Sequence, residues 1–315
     1  VATTTAPVES ANLTAPRTER PATTGAGFGV TSIESARRTV LQFFRTPQVL
    51  IMGTVQGAMF LFMFRYVFGG AISTGGAVSY VNFLVPGFLV TVILWTGMGA
   101  ASGVAEDSAS GVYDRMRSLP VPRSAIMVGR SIADTSLVAW GVLTTAIIGF
   151  AVGFRPAGSV LHVLAGFGLI IVAAAAFSWI FIVLGLVSGN AQAAQGMSML
   201  IIPFSFISSA SVPVSSMPGW LQPFAANQPI SVIINAVRSL MVGGTGVIGI
   251  GHTTTYWVVL SLIWSAGIAL VFATIATLVD QAQTALYFHN VIGYDMPVVS
   301  GIIRSKERAI MALGC

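Results

Sequence analysis

Long apolar runs separated by short polar stretches fill most of the chain, and their lengths predict helices that cross a bilayer. A hydrocarbon core of about 30 Å takes roughly 20 apolar residues in a helix. Runs of that size place spans at about 48–68, 81–104, 124–153, 160–187, 196–213 and 256–279. The apolar stretch 214–243 breaks the rhythm at Pro218, Pro223 and Pro229. Its clean helical part, 230–241, is too short to cross, so a re-entrant helix pair is expected before the last span. Ahead of the first span, "TSIESARRTVLQFFRTP" sets Thr31 and Glu34 at capping-box spacing and stops at Pro47. Ile33, Ala36, Val40, Leu41 and Phe44 recur at helical spacing, with Arg37, Arg38, Gln42 and Arg45 mostly on other faces. This predicts an amphipathic helix over 31–46 lying on the membrane surface. The plainer alternative, a soluble helix packed on some domain, finds nothing before it to pack against.

The expected fold is therefore all-α: an integral membrane protein with six transmembrane helices, an N-terminal interfacial helix and an outer re-entrant pair. Composition agrees, since 55% of residues are hydrophobic and only 8% charged, too few polar side chains to cover a soluble globule. The formal charge of +5 forms no basic stripe, which excludes nucleic-acid binding. A lone Cys315 makes no internal disulfide. Residues 1–30, rich in Ala, Thr, Pro and Gly, read as a disordered tail without the apolar core of a signal peptide. The membrane-spanning body would occupy 47–280, leaving 281–315 as a tail to which the pattern assigns no structure.

Charge placement orients the spans. With the N-terminus in the cytoplasm, that side receives Arg17, Arg20, Arg37, Arg38, Arg45, Arg115, Arg117, Arg123, Arg130, Arg304, Lys306 and Arg308, and the outside only Arg65, Arg155 and Arg238. Both termini are then cytoplasmic. Tyr80, Trp220, Tyr256 and Trp257 fall near the outer interface, where amphipathic rings are favoured.

Charge also gathers in "AEDSASGVYDRMRSLPVPR", residues 105–123, between two apolar runs. Ala105, Ala109, Val112, Met116 and Leu119 make one apolar stripe at helical steps. Glu106 and Asp107 sit in the first turn and Arg115 and Arg117 in the last, complementing the helix dipole, and Pro120 and Pro122 end it. Gly111 marks a bend or a close approach by another backbone. Such a helix over 105–119 is either an ordinary solvated loop helix or one that a soluble partner grips.

The stretch "EDSASGVYDRMRSLPVPRSAIMVGRSIAD" resembles the loop between the second and third spans of type-2 ATP-binding-cassette (ABC) permeases, in particular the daunorubicin/doxorubicin-resistance-like exporters. Glu106, Asp107, Gly111, Val112, Asp114, Arg115, Leu119 and Pro120 carry the likeness. "VPVSSMPGWLQPFAANQPISVIINAVRSL" is similar to that family's outer segment before the last span. The resemblance covers about 31–280 and implies that 105–119 is a coupling helix docked on a nucleotide-binding subunit, with Met116 in its docking stripe. It further implies a second permease chain, identical or homologous, and ATP with Mg bound by the nucleotide-binding partner, no cofactor being expected on this chain. The lysine count agrees: a P-loop needs Gly-Lys-Ser/Thr, and the one lysine, Lys306, lies in "RSKERA".

Other polar positions have local readings. Arg130 and Asp134 are four apart, so they share a helix face and can neutralise each other, or else handle substrate. Arg65 and Arg238 would snorkel to the outer surface; Arg238, with Pro218 and Trp220, is also a candidate outer gate. No His, Cys, Asp or Glu cluster has metal-ligand spacing and no Ser-His-Asp set stands out, so neither a metal site nor a catalytic residue is expected. Few ionisable groups among many Phe, Trp and Met side chains suit a large apolar or amphiphilic cargo. The resembling exporters carry antibiotic-type drugs or complex cell-envelope lipids, and the residues do not choose between them. The Ala-, Gly-, Val- and Arg-rich composition points to an actinobacterium and a bacterial plasma membrane. An ATP-independent secondary transporter or channel is the alternative, though no internal repeat supports it. The charge bias makes a direct prediction: an impermeant thiol reagent outside the cell labels a cysteine at Ser216 and misses one at Ser110, and the reverse pattern would overturn the topology.

Overall fold

The computed structural model describes residues 27–70, 79–117, 122–243 and 252–292. Its regular elements are helical: α1 (Phe28–Phe44), α2 (Pro47–Phe62) with a π-helical continuation (Met63–Phe68), α3 (Tyr80–Ala109), α4 (Val112–Arg117), α5 (Arg123–Val152) and α6 (Val160–Val187). There follow α7 (Ala191–Met199), α8 (Ile202–Phe206), a 3-10 turn (Val214–Ser216), α9 (Gln222–Asn227), α10 (Pro229–Val242) and α11 (Thr254–Ile292). Among the described residues four helices are long and apolar enough to cross a membrane: Tyr80–Ala109, Ser124–Val152, Val160–Val187 and Thr254–Gln283. The segment predicted as the first span, 48–68, folds as α2 and its π-helical continuation, which are not among those four, with α2 starting on Pro47 at its first turn.

Outside the polar segment 105–123, three elements differ from expectation. The predicted span 196–213 is not one helix but α7, α8 and turns, and it still reaches the opposite end of the bundle, where the Tyr80 hydroxyl donates to the Ser211 carbonyl at 3.1 Å. Pro203 in the first turn of α8 explains part of the break, because it offers no N–H to continue α7. At the other end of the chain, α11 runs through Asp280, the expected limit of the membrane body, to Ile292. At about 1.5 Å per residue it is close to 60 Å long, about twice a bilayer core. The helix expected over 31–46 begins earlier, at Phe28 with Gly27 as N-cap, so Thr31 and Glu34 form no capping box; Thr31 donates instead to the Gly27 carbonyl. The tail 1–26 and the segment 293–315 lie outside the described residues.

The amphipathic pattern of α1 is used in an unexpected sense. Its small residues Thr31, Ser32 and Ala36 are buried against α5, where Gly129 lets the Ser32 backbone approach closely. Phe28, Val30, Ile33, Leu41 and Phe44 face outward, as suits a helix whose apolar side meets lipid rather than protein.

Backbone direction and end contacts show α3 antiparallel to α5 and parallel to α6. Asn82 accepts from the Arg155 N–H at one end, and Arg130 meets Ala100 and Asp107 at the other. Two glycines bring α3 and α6 together: a Cβ at Gly97 would overlap the Phe181 ring, and one at Gly185 would press on the Ala101 carbonyl and Val104. Where both surfaces are apolar, such close packing rather than the hydrophobic effect holds helices in lipid. The Ser131 and Ser178 hydroxyls, 2.6 Å apart, tie α5 to α6. Accordingly Gly97→Ala should cost about 1–3 kcal/mol through overpacking. Gly168→Ala, which faces open space on α6, should be neutral or stabilising by up to about 1 kcal/mol. Thermal unfolding of the two variants in detergent, followed by tryptophan fluorescence, checks the contrast.

Candidate functional site

At the end of the bundle where α3 and α5 meet the polar segment, four charged side chains form one network. Arg130 Nε donates to both Asp134 carboxylate oxygens at 3.0 and 3.2 Å, Nη1 to Asp107 at 3.2 Å and Nη2 to the Ala100 carbonyl at 2.9 Å. Arg38 Nη2 of α1 reaches the other Asp107 oxygen at 3.0 Å. The Arg130 and Asp134 side chains are 8% and 3% exposed and Asp107 is 24% exposed, so the network runs from the interior to the surface. Helical spacing places Arg130 and Asp134 on one face, as the sequence indicates. Asp107 enters because α3 continues as an unbroken helix past the apolar run, carrying its carboxylate over Arg130.

Residues 105–119 do not form one helix. Ala105 to Ala109 are the last turn of α3, Ser110 and Gly111 make a corner, and Val112–Arg117 is the separate α4. Gly111 sits at φ +69, a left-handed conformation that side chains with a Cβ resist, so this glycine is a corner rather than a mid-helix bend. The expected stripe is split accordingly: Ala105 is buried in the core, Ala109 is exposed and Val112 half-buried. Glu106 and Arg115 are exposed, while Asp107 is engaged inward. The side chains of Asp114 and Met116, and all of Leu119 and Pro120, lie outside the described residues.

Tyr113 holds α4 against the bundle, packing with Val104, Ile126, Met127, Ile182, Val183 and Leu186 in a second apolar cluster. Burial pushes its hydroxyl up to about 12, so it stays neutral at any physiological pH. The residue carries no signal in the sequence beyond being the one aromatic in a polar stretch. Arg38 was equally unmarked, since its carboxylate partner lies 69 positions away.

Arg238 corrects the expectation of snorkelling. It is 1% exposed, and its guanidinium donates to the Phe83 and Ser209 carbonyls at 3.1 and 2.7 Å and to Asn235 Oδ1 at 3.3 Å, with the Phe83 ring 3.8 Å beneath it. Of the other two candidate gate residues, Pro218 is exposed and Trp220 is 80% exposed, whereas Arg238 is enclosed. Every residue from Ile230 to Val242 is buried, and α10, about 21 Å long, is too short to cross a core of about 30 Å. Of the rings placed at the outer interface, Trp220 and Tyr256 are exposed, whereas Tyr80 and Trp257 turn inward. Arg65 is half-buried with its guanidinium 5.7 Å from the Tyr66 ring.

A cavity of about 300 Å³ lies between α2, α3 and α5, with Phe43 of α1 in its wall and Arg130 at one end. Sequence periodicity gave no sign of it, because its wall is drawn from three different helices. The charge network generates a graded prediction. Asp134→Ala strands a buried guanidinium and should cost about 3–5 kcal/mol, whereas Arg38→Ala removes an exposed partner and should cost less than about 1 kcal/mol. Chemical denaturation in mixed micelles reads both.

Residues 33–242 match the family model described as ABC-2 type transporter. The chain is 32% identical over 237 residues to a daunorubicin resistance ABC transporter permease protein of Streptomyces coeruleorubidus, a match covering 75% of this chain and 81% of that one. It is 23% identical over 249 residues to a probable doxorubicin resistance ABC transporter permease protein of Mycobacterium tuberculosis, covering 78% and 86%. A putative transport permease of Pyropia yezoensis is 25% identical over 210 residues, covering 64% and 71%.

Proposed function

Because the chain belongs to the ABC-2 type transporter family, we propose that it is the membrane-spanning permease subunit of an ATP-driven exporter in a bacterial plasma membrane. Its cargo is an amphiphilic or hydrophobic molecule, an antibiotic-type drug or a cell-envelope lipid. The names of the relatives, which refer to daunorubicin and doxorubicin resistance, favour the drug. ATP and Mg bind to a nucleotide-binding partner, and a second permease chain, identical or homologous, completes the pathway. In this reading the chain crosses six times, the broken segment after α6 being the fifth crossing and α9 with α10 the outer re-entrant pair. Both termini then face the cytoplasm.

One observation carries the mechanism: the polar segment is mechanically continuous with the bundle. Glu106 and Asp107 belong to the last turns of α3 itself, and Asp107 links that turn to α5 through Arg130 and to α1 through Arg38. A partner that grips Glu106, Val112 and Arg115, together with Asp114, Met116 and Leu119, would therefore move three helices at once. Its exposed charges set register more than affinity. Tyr113 keeps α4 from swinging independently. The force path is thus an L-shaped foot turning at Gly111, not a straight lever.

Export requires that corner. Proline holds φ near −65°, which is incompatible with the left-handed backbone at Gly111. Gly111→Pro should insert normally in the membrane, yet lose export and substrate-stimulated ATP hydrolysis at least tenfold in a complex reconstituted with its ATPase. The double variant Glu106→Ala/Arg115→Ala should show a milder loss. Wild-type export by Gly111→Pro, or purification of an active chain with no ATPase bound, would overturn the reading.

A further inference from the structure

We propose that the junction around Arg238 is a latch of the outer gate, electrostatically biased to open because it buries a cation without a counter-charge. The gate it would serve rests on the exporter reading, while the bias follows from this chain's own side chains. The two buried arginines, Arg130 and Arg238, are held in opposite ways. Arg130 has the carboxylates of Asp134 and Asp107 against it. Arg238 has the Phe83 and Ser209 carbonyls, Asn235 Oδ1 and the Phe83 ring, all of them uncharged. The sequence contains no Asp or Glu between 35 and 105 or between 135 and 279, ranges that include Phe83, Ser209, Asn235 and Arg238. A second identical chain has the same gap, so these segments of a partner bring no carboxylate either. Dipoles and a ring face offset part of the cost of burying a guanidinium, and the remainder persists as long as the junction stays closed.

Unused hydrogen-bond donors at the same place add to that remainder. Three guanidinium N–H groups of Arg238 are engaged, and beside them Asn235 Nδ2 is buried with no partner among the described residues. Water reaching the junction would satisfy these donors and hydrate the charge, and it would replace each neutral partner at small loss. Three elements part if that happens. Arg238 bridges α10 to Phe83 in the first turn of α3 and to the turn carrying Ser209. That turn is held to α10 again where the Ser209 N–H meets Ser231 Oγ at 3.0 Å and its hydroxyl meets Asn235 Oδ1 at 3.1 Å, and to α3 where Tyr80 meets Ser211. All of these bonds lie at the end of the bundle away from Asp107. Closed and open arrangements therefore differ in the hydration of one charge, which is the differential free energy a two-state element needs.

A static brace and a biased latch predict opposite signs. Removing a brace loosens the junction and lowers stability, whereas removing the charge from a biased latch tightens the junction and raises stability. The test uses the full chain in phosphatidylcholine nanodiscs, with Cys315→Ser and Ser208→Cys leaving one thiol beside the junction at a position 1% exposed. A charged maleimide that does not enter bilayers is the probe. Arg238→Met keeps most of the side chain's length and removes its charge. Asn235→Asp keeps the cation and places a carboxylate where Oδ1 already accepts at 3.3 Å, giving up only an amide nitrogen without a partner. Both variants should label roughly tenfold more slowly than the parent, since removing an uncompensated charge and supplying its counter-charge relieve the same cost. Both should also melt several degrees higher. Faster labelling with a lower melting temperature in Arg238→Met would make Arg238 a static brace and overturn the proposal. So would parental labelling in Asn235→Asp, which decides the matter should Arg238→Met fail to fold. Labelling and melting need no ATPase, so the two readings separate. In a complex with its ATPase each variant should lose most of its export although it is the more stable protein. A parent that never exports, with the labelling contrast intact, removes the exporter alone, and ATP-driven export with labelling and melting unchanged in both variants removes the latch alone.

Discussion

Arg130 is a guanidinium inside a bundle of apolar helices, and a charge in that position must be neutralised by its neighbours because no bulk water reaches it. Asp134 supplies one carboxylate from the same helix, and Asp107 supplies the second only if α3 continues beyond its apolar stretch at the right height. The requirement therefore fixes the relative height of α3 and α5. Arg38 then draws in α1, whose small polar face is already seated on α5 at Gly129. Removing one member of such a set costs more than the set contributes as a whole, since the residual charge remains buried. The network is thus better understood as setting register than as a store of stability.

The same logic, with dipoles in place of carboxylates, governs the other buried cation. Arg238 is held by two backbone carbonyls, an amide oxygen and an aromatic face, so α10 is pinned to α3 and to the turn at Ser209. Close helix contacts complete the framework: Gly87 admits the Ala210 backbone, Gly97 the Phe181 ring and Gly185 the Ala101 backbone. Around α2 the packing is looser, and there the bundle leaves a cavity with Arg130 at its end. One residue consequently belongs both to the wall of that space and to the linkage that reaches the corner at Gly111.

Run length and residue type announced α3, α5, α6 and the membrane-crossing part of α11 within a few residues, because about 20 apolar residues in sequence leave little choice in a bilayer. The Arg130 and Asp134 contact was equally legible, since a separation of four on a helix is a neighbour relation. Gly111 was visible as an interruption, although whether it bends a helix or turns a corner depends on its φ, which spacing does not report. Periodicity through 105–119 was misleading for that reason: the apolar positions keep helical step across a corner that separates them into two elements. The expectation of one continuous helix over 196–213 meets the same difficulty, because apolar length says nothing of whether the backbone is continuous.

Membrane character, span positions and charge bias are properties of short windows, and those windows already carry them before any helix meets another. Arg38 finding Asp107 across 69 positions, Arg238 finding Phe83 across 155, and Tyr113 turning into an apolar cluster are of another kind. Each depends on the height and rotation of helices far apart in the chain, and in an apolar solvent those are chosen by close fit and by the neutralisation of a few buried charges. The cavity belongs to this second group as well. Its glycines and aromatics are ordinary residues in their own helices, and only packing three helices around one space makes them one wall.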